Sequence, residues 1–160
     1  MSLLHHHIPL SRLDLLDRKI LVLIDESCKS PSVDAKLRSL ISFLENRGVK
    51  KILMISDIEE EFIDPSSCQF CVYSQITYSC LDCVCEDEDC LAMEMGQYSY
   101  AFNLSNSAIA VQTVIKLLEN GGTCYVMSPY QSSQSVNISS VIRRQIDFVG
   151  MSIDELDIEV

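Results

Sequence analysis

Six of the eight cysteines crowd between Cys68 and Cys90, and they are the residues whose spacing most resembles a chemical site. Cys68-x-x-Cys71 and Cys80-x-x-Cys83 form two pairs, with Cys85 and Cys90 close behind. Four thiolates in two such pairs can hold a zinc ion tetrahedrally, each pair making one knuckle. Against this, only eight residues separate the pairs, and that stretch is strand-like in composition. Cysteine is also a common small buried hydrophobe. The acidic run Glu86–Asp89 beside the cluster disfavours the thiolate form that a nucleophile needs. Packing is therefore the expectation here, and zinc at Cys68, Cys71, Cys80 and Cys83 is the alternative.

The other reactive types are sparse. All three histidines, His5, His6 and His7, lie in a terminal run, so a Ser-His-Asp or Cys-His arrangement would have to recruit its base from there. Glu59, Glu60 and Glu61 are a charge run of the kind that makes a solvated face. No combination of residues amounts to a catalytic set.

The elements that would position any site alternate along the chain. Lys19 to Asp25 is a continuous apolar run of strand length, as expected for a strand covered on both faces. A helix is expected from Ser30 or Ser32, with Pro31 in its first turn and an inward stripe of Val33, Leu37, Leu40, Ile41 and Leu44. Gly48 stands where a left-handed cap ends such a helix, and Lys51 to Ser56 is a second buried strand. The pattern returns at Tyr98 to Leu104, a strand, followed by a helix capped by Ser107 with Ala108, Val111, Ile115 and Leu118 facing inward. Gly121 and Gly122 stop that helix, Thr123 to Ser128 is a strand, and a short helix over Ile138 to Arg144 precedes a strand over Ile146 to Met151. Between the two units, 59–97 is the least regular stretch, with strand composition at Gln69–Tyr73 and Gln75–Tyr78. These units predict an α/β fold, a Rossmann-like open and mostly parallel sheet with helices on both faces. The expected organisation is an N-terminal segment over 1–18, one domain over 19–152 and an acidic tail over 153–160.

In such a sheet ligands bind beyond the carboxyl ends of the strands. The residues expected there are Asp25, Asp57, Asn103, Ser105 and Ser128. Yet the first turn, Asp25-Glu26-Ser27-Cys28-Lys29-Ser30-Pro31, has no glycine. A dinucleotide site needs glycines there so that backbone can approach the pyrophosphate, and two acidic residues repel it.

The stretch AFNLSNSAIAVQTVIKLLENGGTCYVMSP followed by VIRRQIDFVGMS, within Tyr100–Ser152, resembles the second half of the cofactor domain in medium-chain dehydrogenase/reductases, notably the enoyl-reductase section of fatty-acid and polyketide synthases. Leu118, Gly121, Gly122 and Gly150 match the helix-end, Gly-Gly turn and final strand of that family, and Phe43–Ser56 is similar to the helix and second strand of reductase domains in the same synthases. The resemblance implies the fold and descent from a cofactor-binding ancestor. It does not carry the activity, because ESCKSPS stands where the family has its glycine-rich turn, and the catalytic half of such a reductase is not expected within this chain.

Composition narrows the rest. A hydrophobic share of 48% with 22% charged residues suits a folded domain. No apolar run reaches the roughly 18 residues that cross a bilayer. Twenty-three acidic against twelve basic residues give a net charge of −11, which excludes nucleic acid and anionic membranes as expected partners and favours a basic protein. Without an export signal the thiols are expected to be reduced, in the cytoplasm or nucleus. Together these features favour a non-catalytic pseudo-enzyme that binds protein partners without a cofactor. The alternatives are an atypical reductase or methyltransferase-like enzyme using NADPH or S-adenosylmethionine, and a zinc-stabilised cysteine-rich module.

Overall fold

The structure, a computed structural model, describes residues 10–56, 76–80, 95–106, 108–127 and 138–152. Its elements in chain order are β1 (Lys19–Ile24), a 3-10 turn over Glu26–Lys29, α1 (Pro31–Asn46), β2 (Lys51–Ser56), β3 (Ile76–Cys80), β4 (Tyr98–Asn103), α2 (Ala108–Leu117), β5 (Leu118–Val126), α3 (Ile138–Arg144) and β6 (Asp147–Gly150). The six strands form one sheet in the order β3-β2-β1-β4-β5-β6, and every neighbouring pair is parallel. That is the doubly wound order with its reversal between β1 and β4.

The unbroken apolar run of β1 follows from this central place. Ile20 to Ile24 are all fully buried, but they serve two different cores. Ile20, Val22 and Ile24 join Ile52, Met54 and the α1 stripe Val33, Leu37, Leu40, Ile41 and Leu44. Leu21 and Leu23 join Leu53, Ile55 and the α2 residues Ala110, Val111, Val114 and Ile115. The helices therefore cover opposite faces, as the period-two alternation of a strand requires. The first core also takes in Leu10, Leu13 and Leu15, so it extends to residues before Lys19.

α1 begins at Pro31 in the first turn, with Ser30 at its N-cap, and ends at Asn46. Gly48 follows with φ +75°, and a Cβ there would come within 2.9 Å of the Leu16 Cδ1. Both its left-handed backbone and this close approach call for glycine.

The largest departure from expectation lies in β4 and β5. β5 was expected to begin at Thr123, after a glycine stop, but it pairs from Leu118, and Leu118 belongs to the strand and not to the helix. The register jumps between Tyr98 and Tyr100: Tyr98 pairs with Leu118, whereas Tyr100 pairs with Thr123. Tyr98 packs in the α2 core while Tyr100 packs against the other, although residues two apart on a regular strand share a face. This slip in phase is accommodated by Gly121, at φ +81°, and by Gly122, whose missing Cβ would sit 3.0 Å from the Glu119 carbonyl oxygen.

α2 ends against α3. The Arg144 guanidinium donates to the Ile115 and Leu118 carbonyls and, at 3.3 Å, to Asn120 Oδ1, while the Gly96 N–H donates to the Lys116 carbonyl at 3.1 Å. The Ile115 and Lys116 carbonyls, which the helix end leaves open, are thereby satisfied, with a cation at the negative end of the dipole. α3 itself is shallowly seated. None of its residues is fully buried, and Ile138 and Ile142, one turn apart, are 63% and 70% exposed.

Candidate functional site

The reversal between β1 and β4 places the ends of two strands side by side, and the register pairs Leu23 with Asn103. Just beyond, the Leu104 N–H donates to the Leu23 carbonyl at 2.8 Å, so the strands stay joined past their last ladder pair. The first crossover leaves from Asp25 toward one face of the sheet and the second leaves from Asn106 toward the other.

Asp25 is only 7% exposed, in extended backbone at φ −140°, ψ −172°. Its Oδ1 accepts the Ser27 N–H at 2.9 Å and also the Ser27 hydroxyl. Its Oδ2 accepts the Asn106 N–H at 2.7 Å. The carboxylate thus caps the 3-10 turn Glu26–Lys29 and at the same time reaches over to the loop after β4. Below the turn, Cys28 is fully buried in the first core, with its Sγ 3.9 Å from the Leu104 carbonyl. A tight turn with a side chain plugged beneath it stands where a glycine loop would leave room for a phosphate.

Asn103 and Ser105 come together beside it, both fully buried. The Asn103 Oδ1 accepts the Ser105 N–H at 3.0 Å, and the Asn103 carbonyl accepts the Met127 N–H at 2.8 Å. The Asn103 Nδ2 has no hydrogen-bond partner among the described residues. A buried amide donor left without an acceptor is uncommon in a folded protein. Of the five residues expected at the carboxyl edge, the structure therefore gathers Asp25, Asn103 and Ser105. Asp57 and Ser128 lie outside the described residues.

Of the cysteine pairs, Cys80 is the last residue of β3, opposite Ser56 of β2. Cys68, Cys71 and Cys83 lie outside the described residues, as do the histidine run and Glu59–Glu61. Among the described residues there is no group of three or more metal-ligating side chains, and no helix is long and apolar enough to cross a membrane. Cys124 is a poor nucleophile, because burial pushes its thiol up to about 12. Burial also raises the Tyr100 and Tyr125 hydroxyls, and Tyr125 stacks on Phe102 with ring centroids 5.3 Å apart. The Ser27 hydroxyl and Asp25 form a cap and not a nucleophile with its base, since the same carboxylate holds two backbone N–H groups.

Two participants escaped the sequence reading. Ser27 was legible in principle, because an Asp two residues before a Ser is the pattern of a side chain bonding the backbone two residues on. Asn106 was not, since its bond to Asp25 spans 81 positions.

Neither a protein-family model nor a curated protein matches this sequence. Solved structures do match. L-idonate 5-dehydrogenase from Escherichia coli is 13% identical with a TM-score of 0.59, covering 86% of this chain and 35% of its own. The 2R,3R-butanediol dehydrogenase from Bacillus subtilis is 14% identical with a TM-score of 0.57, covering 88% and 36%. A proposed enoyl reductase domain of a polyketide synthase is 13% identical with a TM-score of 0.55, covering 90% of this chain and 71% of that one. At such identities the likeness shows the fold alone, an open Rossmann-like α/β domain similar to part of these dehydrogenases and reductases. The chain spans little more than a third of the length of these two dehydrogenases.

Proposed function

We propose that this chain acts as a non-catalytic Rossmann-like module, a pseudo-enzyme that serves as a protein-binding subunit or adaptor. The observation that carries this reading is the engagement of Asp25. At the first turn, the N–H that could meet a ligand phosphate at Ser27 is already taken by a carboxylate of the same chain, and so is the Asn106 N–H opposite. A phosphate would have to displace an anion from partly buried hydrogen bonds and then face its charge. The net charge of −11 supports a basic protein as the partner.

Isothermal titration of the full chain with NADPH, NADH and S-adenosylmethionine tests the reading. No heat of binding is expected up to millimolar ligand, and micromolar affinity for any of the three would refute it. A second reading, a cofactor-binding reductase or methyltransferase-like enzyme with an atypical site, draws support from the Asn103 Nδ2, which has no partner among the described residues. The same titration separates the two.

A further inference from the structure

The bond from Asp25 to Asn106 deepens the proposed loss of a cofactor and rests on that reading. The two oxygens of one carboxylate are divided between the segments that part company at the reversal of strand order: Oδ1 holds Ser27 after β1 and Oδ2 holds Asn106 after β4. Main-chain N–H groups converging at such a place are the usual receptors of a ligand oxyanion. We propose that Asp25 is a built-in anion, filling from within the seat that a ligand's oxyanion would take and clamping the β1–β4 crevice shut.

The donor inventory supports this. Without the carboxylate, the Ser27 N–H, the Ser27 hydroxyl and the Asn106 N–H would lose the acceptor that Asp25 gives them, and the nearby strand end holds an Asn103 amide with no partner among the described residues. Partly buried donors that lose their acceptor destabilise a fold and select for a small oxyanion. The extended backbone of Asp25 suits any residue, glycine included. Asp25→Gly removes the CH2COO− group, and free acetate is that group with one more hydrogen.

The test uses the full chain, with melting temperatures of wild type and Asp25→Gly in acetate, phosphate and chloride at equal ionic strength. In chloride the variant should melt about 5–10 °C below wild type. Acetate, and to a lesser degree phosphate, should recover about half of that loss in the variant. Wild type should show no more than the general effect of each salt. If variant and wild type respond alike to acetate and chloride, the clamp is refuted. Should Asp25→Gly fail to fold, Asp25→Asn serves instead. Its amide can accept from one side only and turns a donor toward a donor on the other. The Asn106 or Ser27 amide should then exchange with solvent at least tenfold faster than in wild type, and unchanged protection of both overturns the proposal. Cofactor titration of wild type reports on the functional reading alone. A wild type that binds no cofactor, with a variant that acetate does not rescue, therefore removes only the clamp.

Discussion

Alkali should destabilise this protein in part through the buried thiol of Cys124, and replacing that thiol should flatten the response. Cys124 lies in β5 between Ala101 and Phe148, 1% exposed, and its ionisation is pushed from 9.0 up to about 12 by burial. Because the folded chain keeps this proton to higher pH than the unfolded chain does, it binds more protons between those two values. Stability must then fall as pH rises through that window and be unaffected below it. Three pKa units correspond to about 4 kcal/mol in all, and about 2 kcal/mol of that is lost by pH 10.5. Such a loss is a large part of the 5–15 kcal/mol typical of a domain. Tyr100 and Tyr125, raised by burial in the same direction, add to the fall at higher pH. Urea midpoints measured under reductant at pH 7.5 and 10.5 give the decline for wild type and for Cys124→Ala. The variant starts roughly 1 kcal/mol less stable through its small cavity, but its decline over the interval should be about 2 kcal/mol smaller. Equal declines would refute the assignment, because every other titrating group is common to both chains.

Two further substitutions probe the frame of the site. Arg144→Met should cost about 1–2 kcal/mol in urea unfolding, because one acceptor in the last turn of α2 and two at the start of β5 lose a charged donor, and Arg144→Lys should restore less than half of it. Gly48→Ala should cost about 1–2 kcal/mol, since alanine resists a φ of +75° and its methyl would press on Leu16; equal stability would show that the turn can rearrange.

What the sequence disclosed was decided by period. β1, α1 and β2 were legible because a doubly covered strand shows an unbroken apolar run and a helix seated on it shows one stripe, and both signals are local. β5 was misplaced at its start because its pairing with Tyr98 depends on a register shift, which no window of residues records. Leu10, Leu13 and Leu15 sit among polar and charged neighbours and read as a separate segment, yet tertiary packing draws them into the α1 core. At the site, Asp25, Asn103 and Ser105 could be placed from strand ends alone. The bond from Asn106 to Asp25 could not, since it joins residues of different crossovers.

Charge at the first turn was expected to act outward, with Asp25 and Glu26 repelling an approaching phosphate. The structure assigns Asp25 a different physical part. A carboxylate 7% exposed and bonded to two backbone N–H groups and a hydroxyl keeps its charge while its oxygens occupy those donors. Its effect is to compete for those donors at contact range. The two mechanisms differ in their salt dependence. Repulsion across solvent is screened within about 10 Å at 0.1 M salt, whereas occupation of the donors at contact range is screened much less. A cofactor that fails to bind at low salt but binds at high salt would implicate the surface charge. One that fails at both, yet binds once Asp25 is replaced, would implicate the occupied seat, and the geometry at Ser27 and Asn106 favours that second outcome.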